Sequence, residues 1–183
     1  MKALVPMAPG FEEIEAITII DVLRRAGIGV MSAALKKSPV TGSHGIAVQA
    51  DTTLEEIGDG DFDIVILPGG MPGSENLKKS DKLITLLRKM NDRGAPVAAL
   101  CAAPLVLGHA GILKGKRATC YPGYEAEMTG ATATGRPVER DGSIITGRGP
   151  GCALPFALEI VALLKGDAVR TELKESMQVY WDL

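Results

Sequence analysis

Residues 2–34, KALVPMAPGFEEIEAITIIDVLRRAGIGVMSAA, decide the fold. The apolar run 2–7 ends in Ala8-Pro9-Gly10 and reads as a strand closed by a turn. Residues 12–27 follow with helical spacing, glutamates in the first turn, arginines in the last and Gly27 as the stop. Residues 28–34 return to strand. A strand, a helix and a strand in succession imply two parallel strands joined by a right-handed crossover.

The same alternation continues along the chain. Residues 38–57 hold two short alternating pieces around GSHG, a small hairpin, and then a short helical turn. FDIVILPGG (62–70) is an apolar strand running into paired glycines, the pattern of a strand buried on both faces. Residues 80–94 form an amphipathic helix opened by Ser80 or Asp81 and closed by Gly94. Residues 95–100 are another buried strand and 102–113 a helix. Residues 116–123 hold a short strand and turn, EAEMTG a helical turn, and 137–151 a hairpin closed by Asp141-Gly142. Residues 150–166 and 167–176 are helical. There are no internal repeats. The order of elements predicts one domain over 1–183, a three-layer α/β sandwich around a mostly parallel sheet.

Composition narrows the function. With 20 basic and 22 acidic residues the net charge is −2, which leaves no electrostatic footprint for nucleic acid. Three Phe, three Tyr and one Trp are too few for a base-stacking platform. No polybasic run and no apolar run of bilayer length points to a membrane, and the N-terminal apolar stretch reaches Gly and two Glu too soon for a signal peptide. The three cysteines, Cys101, Cys120 and Cys152, form no C-x-x-C, so neither a disulfide framework nor a zinc site is expected. Free thiols suit a cytoplasmic protein.

Cys101 sits in VAALCAAPLVLGHAG (97–111), where an apolar strand turns into a helix. Ligands of open α/β sheets bind beyond the carboxyl ends of strands. A thiol there is expected to have its pKa lowered by the helix N-terminus, and the N–H of Ala102 to receive an oxyanion. The small residues Ala99, Ala102 and Ala103 make room for a sharp turn, as in a nucleophile elbow. Position alone fits a buried packing cysteine equally well. Cys120, close enough to a strand end to face the same crevice, and Cys152, at the start of a helix, read as packing residues. His109 lies two turns along the helix from Cys101, too far to be its base, and reads as a surface residue. His44 lies in the hairpin and reaches the crevice only through folding or dimer contacts.

On the first helix, Ala16, Ile19, Ile20, Val22, Leu23 and Ala26 form one apolar arc. Glu15 falls inside that arc, Glu13 falls outside it, and Glu12 is explained by capping. A core-facing acid has its pKa raised by desolvation and can hold a proton for a thiolate or substrate oxygen. The competing reading is a rim acid whose carboxylate reaches water. LPGGMPG (67–73) also follows a buried strand; it lacks the G-K-[ST] of a phosphate loop, but its Gly70 N–H is a candidate second oxyanion donor.

Taken together, GFEEIEAITIIDVLRRAG, DIVILPGGMPGSENL, VAALCAAPLVLGHAG, KRATCYPG and GRGPGCALPFALEIV resemble the DJ-1 family of the DJ-1/ThiJ/PfpI superfamily nearly end to end. The resemblance implies a flavodoxin-like sandwich, a homodimer, Cys101 as a reactive and easily oxidised cysteine, and Glu15 as its protonated partner, with Gly70 and Ala102 supplying N–H groups. It implies cofactor-free, metal-free conversion of methylglyoxal and related 2-oxoaldehydes, deglycation of glyoxal-type adducts, or oxidative-stress sensing and chaperoning through Cys101 oxidation. Peptidase activity ranks low, because Ala102 rather than His follows the cysteine. This chain carries Tyr121 where animal members place a His beside the pocket, and His44 where they place an Arg near the dimer interface. Both are candidate substrate-binding residues.

Overall fold

The computed structural model describes residues 1–58 and 62–180. Strand β1 (Lys2–Met7), helix α1 (Glu13–Arg25) and strand β2 (Gly29–Ala34) form the expected crossover, with β1 and β2 parallel from Lys2 beside Gly29 to Met7 beside Ala34. The hairpin is β3 (Val40–Thr41) with β4 (Ala47–Val48). It is followed by β5 (Thr52–Thr53), β6 (Ile64–Leu67), α2 (Gly73–Lys78), α3 (Asp81–Asp92), β7 (Val97–Leu100) and α4 (Pro104–His109). Then come β8 (Arg117–Ala118), β9 (Thr132–Ala133), β10 (Val138–Asp141), β11 (Ile144–Gly147), α5 (Ala153–Lys165) and α6 (Asp167–Ser176). Seven strands form the central sheet in the order β10-β11-β7-β6-β1-β2-β5. All its neighbouring pairs are parallel except the β10–β11 hairpin.

Side-chain alternation sorts the core into two layers. Ala3, Val5, Met7, Ile64, Ile66, Ala98 and Leu100 point to one face, against α1 and α5. Leu4, Val65, Leu67, Val97 and Ala99 point to the other, against α3 and α4. The strands are buried on both faces, hence their continuous apolar runs. The chain order across the sheet reverses between β1 and β6, and a crevice opens at the carboxyl ends of strands at such a switch.

Three elements escape a sequence reading. β5 is two threonines at the sheet edge; its neighbour Asp51 accepts from Ser32 N at 2.8 Å, Ser32 Oγ at 2.7 Å and Arg24 at 2.9 Å. Helix α2 begins directly after the glycine-rich loop, and β9 pairs in parallel with β8 through residues far apart in sequence. Residues 54–56 form the single turn expected there, Glu56 N donating to Thr53 O at 3.2 Å. α4 begins only at Pro104, after a turn over residues 101–103, and ends at His109, shorter than the 102–113 expected. Ser80 caps α3, accepting from Leu83 N.

Candidate functional site

β7 ends at Leu100, and Cys101 takes a left-handed backbone, φ 63°. That single torsion decides where the sulfur goes. Strand alternation would carry residue 101 to the α3/α4 face. The positive φ returns its side chain to the α1 layer, where it packs with the buried residues of α1 and α5. A non-glycine residue in this region is strained, and the neighbouring backbone over-determines it. Cys101 N donates to Gly147 O at 2.9 Å, and Tyr121 N donates to Cys101 O at 2.8 Å. The Cys101 residue keeps 8% of its surface accessible.

Glu15 projects from α1 toward the same point and is fully buried. Its Oε2 accepts from Gly69 N at 2.7 Å, and its buried Oε1 has no hydrogen-bond partner among the described residues. Burial pushes the Glu15 carboxyl up to about 7, against the pull of the Gly69 N–H and of Cys101. Burial and then the Glu15 charge push the Cys101 thiol up to about 12, while the backbone N–H groups of Gly70 and Ala102 pull it down. This corrects the expected low thiol pKa. α4 starts three residues too late to act on the sulfur, and a buried carboxylate faces the thiol instead. The two acids form a coupled pair: the first proton leaves readily and the second does not. In the singly ionised pair the charge rests on Glu15, and the two N–H groups lower the cost of passing it to sulfur.

The structure brings Cys101, Glu15, Gly70 and Ala102 together. Tyr121 is at the rim. Its backbone holds the Cys101 carbonyl, its ring lies over Gly149, and 47% of the residue is exposed. Cys120 is buried in the opposite layer, with the Tyr124 backbone and Glu125 as its neighbours. Burial pushes its thiol up to about 11. Cys152 is half-buried in the short 3-10 turn Pro150–Cys152 before α5, and His109 is exposed.

Two acids depart from the sequence reading. Glu13, expected outside the apolar arc, is buried because the hairpin folds over it. Its Oε1 accepts from His44 N at 2.7 Å and Ile46 N at 3.3 Å. The His44 side chain, and after it these backbone bonds, outweigh its burial and hold the Glu13 carboxyl down at about 2. Glu12 stands at the N-cap without making a side-chain capping bond; its carboxylate turns to Ser43 and His44. The His44 ring lies 2.9 Å from Glu13 Oε2 and 3.4 Å from Glu12 Oε2, so the structure places it on these acids and not on Cys101. These three residues offer metal-ligand atoms within 4.8 Å of one another, and hydrogen bonds among them and Ser43 already engage those atoms. A cue was present in the sequence: three acids within four positions, of which the apolar arc accounts for one.

The fold and this elbow define a flavodoxin-like α/β protein with a strand-end cysteine paired to a buried glutamate. A sequence model of the DJ-1/PfpI family matches residues 1–163, and the chain belongs to that family. Protein dj-1beta of Drosophila melanogaster is 39% identical over 184 residues, covering 99% of this chain and 98% of the relative. Protein DJ-1 homolog B of Arabidopsis thaliana is 43% identical over 175 residues, and the match covers 94% of this chain but only 40% of the plant protein. The deglycase PfpI of Pyrococcus furiosus is 36% identical over 167 residues, covering 90% of this chain and 100% of the relative. Among solved structures, oxidised Toxoplasma gondii DJ-1 superposes with a TM-score of 0.94 at 34% identity, covering 98% of this chain and 99% of that one. Drosophila DJ-1beta gives 0.93 at 39% identity, with 98% of each chain covered. No helix among the described residues is long and apolar enough to cross a membrane.

Proposed function

We propose that this chain is a cysteine-dependent, cofactor-free glyoxalase and deglycase acting on 2-oxoaldehydes such as methylglyoxal and on glyoxal-type adducts. The observation that carries the reading is the pairing of Cys101 with a glutamate whose pKa lies near neutrality, under two converging N–H groups. The relatives named deglycases support the substrate class. Ionised Glu15 takes the Cys101 proton as sulfur adds to the aldehyde carbon, and the N–H groups of Gly70 and Ala102 receive the oxyanion. Glu15 returns that proton to oxygen, giving a hemithioacetal. It then removes the proton from the former aldehyde carbon and delivers a proton to the adjacent carbon through the enediol. The result is a 2-hydroxy thioester, which water cleaves to lactate and free thiol. The net change is an internal oxidation and reduction plus one water, so no external oxidant enters. Deglycation attacks the same carbon in an adduct on an amine or thiol. In this reading Tyr121 orients the substrate.

The test is lactate formation from methylglyoxal by metal-free protein. Glu15→Gln is expected to lower turnover by about 10²-fold or more, the usual share of a positioned acid/base. The same variant separates chemistry from stability. A folded-state value of about 7 lies above the ordinary 4.5, so the folded protein holds this proton more tightly than the unfolded chain. Glu15 therefore favours folding fully below pH 4.5, and that contribution disappears as pH rises to about 7. The stability lost across that range is on the order of 3 kcal/mol. Glu15→Gln should unfold at a higher temperature than wild type at pH 8 and at the same temperature near pH 4.5. An unchanged difference across this range would contradict the buried acid.

A second reading has its own support: the same two N–H groups and a protonated Glu15 would stabilise a Cys101 sulfinate, and one structural neighbour is an oxidised form. In that case the protein is an oxidative-stress sensor or redox-regulated chaperone. Negligible wild-type lactate formation, with a peroxide-dependent mass gain on Cys101, would favour it.

Homodimerisation belongs to the proposal. Ile14 (59% exposed) and Ile17 (45%) lie on one face of α1, and Ile46 (58%) adjoins it through the Ile46 N to Glu13 bond. Such a patch marks an association surface. Ile17→Asp should convert a dimer to a monomer in sedimentation velocity; an unchanged sedimentation coefficient would exclude this face. Cytoplasmic residence fits the three free thiols.

A further inference from the structure

We propose that His44 is a positioning residue for the Cys101–Glu15 pair: its imidazolium holds the buried Glu12 and Glu13 carboxylates beneath the hairpin, so that Cys101 reactivity carries a second titration set by His44. The inference rests on the cysteine chemistry proposed above.

The charge balance is the first argument. Glu12 and Glu13 keep only 7% and 5% of their surface, and two adjacent carboxylates with so little water need a cation. Among the described residues no lysine or arginine pairs with either. The cation in reach is His44, with Ser43 Oγ the neutral donor beside it, 3.2 Å from Glu12 and 3.3 Å from Glu13. The Glu13 hydrogen bond, then the charges of Glu12 and Glu13, raise the His44 pKa above its ordinary value.

The second argument is connectivity. Gly10 N donates to Thr41 O at 2.9 Å and Ser43 N to Phe11 O at 2.8 Å, so the hairpin is stapled to the segment entering α1. Gly42 allows this contact, since a Cβ there would lie 2.3 Å from the Glu13 carboxyl carbon. Glu12 N in turn donates to Gly69 O at 2.9 Å, and Gly69 N donates to Glu15. The turn clamped by His44 is thus the turn that registers α1 against the Gly69-Gly70 loop.

The third argument is the sign of the field. The Glu12 charge raises the proton affinity of Glu15. A protonated His44 offsets that charge and eases the first ionisation of the pair. Loss of the His44 proton exposes Glu12 and makes that ionisation harder. The wild-type reactivity curve is therefore stretched toward alkaline pH.

The experiment is iodoacetamide alkylation of Cys101, followed by peptide mass spectrometry from pH 5 to 9, in wild type, His44→Arg and His44→Gln. His44→Arg keeps the charge and should give an ordinary single titration with the lowest midpoint. His44→Gln should give a single titration displaced upward, with alkylation about two- to threefold slower on the rising limb, the size of a screened single charge. Wild type should follow His44→Arg at acid pH and move toward His44→Gln as His44 titrates, a point fixed independently by the imidazole NMR signal. Because His44 is exposed, both variants should fold, which circular dichroism at 25 °C checks; His44→Arg should melt with wild type, and His44→Gln should melt lower because Glu12 and Glu13 lose their cation. Superimposed curves for the three proteins, or a wild-type departure that does not coincide with the NMR titration, would overturn the inference. Glu15→Gln distinguishes the two levels: if it leaves the Cys101 curve unchanged, the underlying pair chemistry fails, whereas a Glu15-dependent curve that ignores His44 removes only the role of His44.

Discussion

Cys101→Ser is expected to reduce lactate formation from methylglyoxal by at least about 10³-fold, with no change in fold. A serine hydroxyl is far less acidic and less nucleophilic than a thiol, and it needs an adjacent strong base. The group facing residue 101 is Glu15, whose pKa of about 7 suits removing a thiol proton in concert with addition but not an alcohol proton. No histidine compensates, because His44 is bound to Glu12 and Glu13. Serine is smaller than cysteine and inherits the same φ of 63°, so no new strain arises and the melting temperature should shift by only a few degrees. Single-turnover lactate release provides the measurement, with Cys152→Ser as the control that should retain activity. Appreciable turnover in Cys101→Ser would remove the covalent route.

Gly70→Ala has the largest expected effect on stability. The residue has φ 87°, and a Cβ would lie 2.4 Å from Glu12 N, 2.5 Å from Phe11 C and 2.6 Å from Gly10 O. All three obstacles are backbone, so no side-chain rotation relieves the clash. The loop must move away from α1, taking the Gly70 N–H from the sulfur and weakening the bond from Glu12 N to Gly69 O. A loss of about 3 kcal/mol or more is expected, lowering the melting temperature by about 6–12 °C for a chain of this size. Gly94→Ala is the internal control: φ is 70° but nothing lies within 4 Å, so only the torsional cost of about 1 kcal/mol remains. Urea unfolding of the two variants isolates the close approach as their difference. Equal losses would mean that the contact between the glycine loop and α1 is soft.

The outcome for each residue follows from how local its determinants are. Glu15 was legible because its place depends only on helical period, and the period put it in the core-facing arc. Glu13 was misread by the same rule: its burial comes from the hairpin, and its bond to His44 spans 31 positions. The thiol departs from the sequence expectation for a related reason. Chain order suggested a helix terminus beside the sulfur, whereas the buried neighbour that dominates is a carboxylate from α1. The sequence points to the Tyr121 side chain, and its backbone N–H also helps hold the Cys101 elbow.

Apolar runs, helical period and glycine stops along the chain were enough to determine the crossovers, the parallel sheet and the strand ends where Cys101 and Gly70 fall, because those signals act over one or two turns of backbone. The direction of the Cys101 side chain, the burial of Glu13 and the partner of His44 were decided only in the tertiary structure. Each depends on segments brought together from distant positions, as with Gly69 and Glu15, 54 residues apart, and on one backbone torsion that strand alternation does not predict.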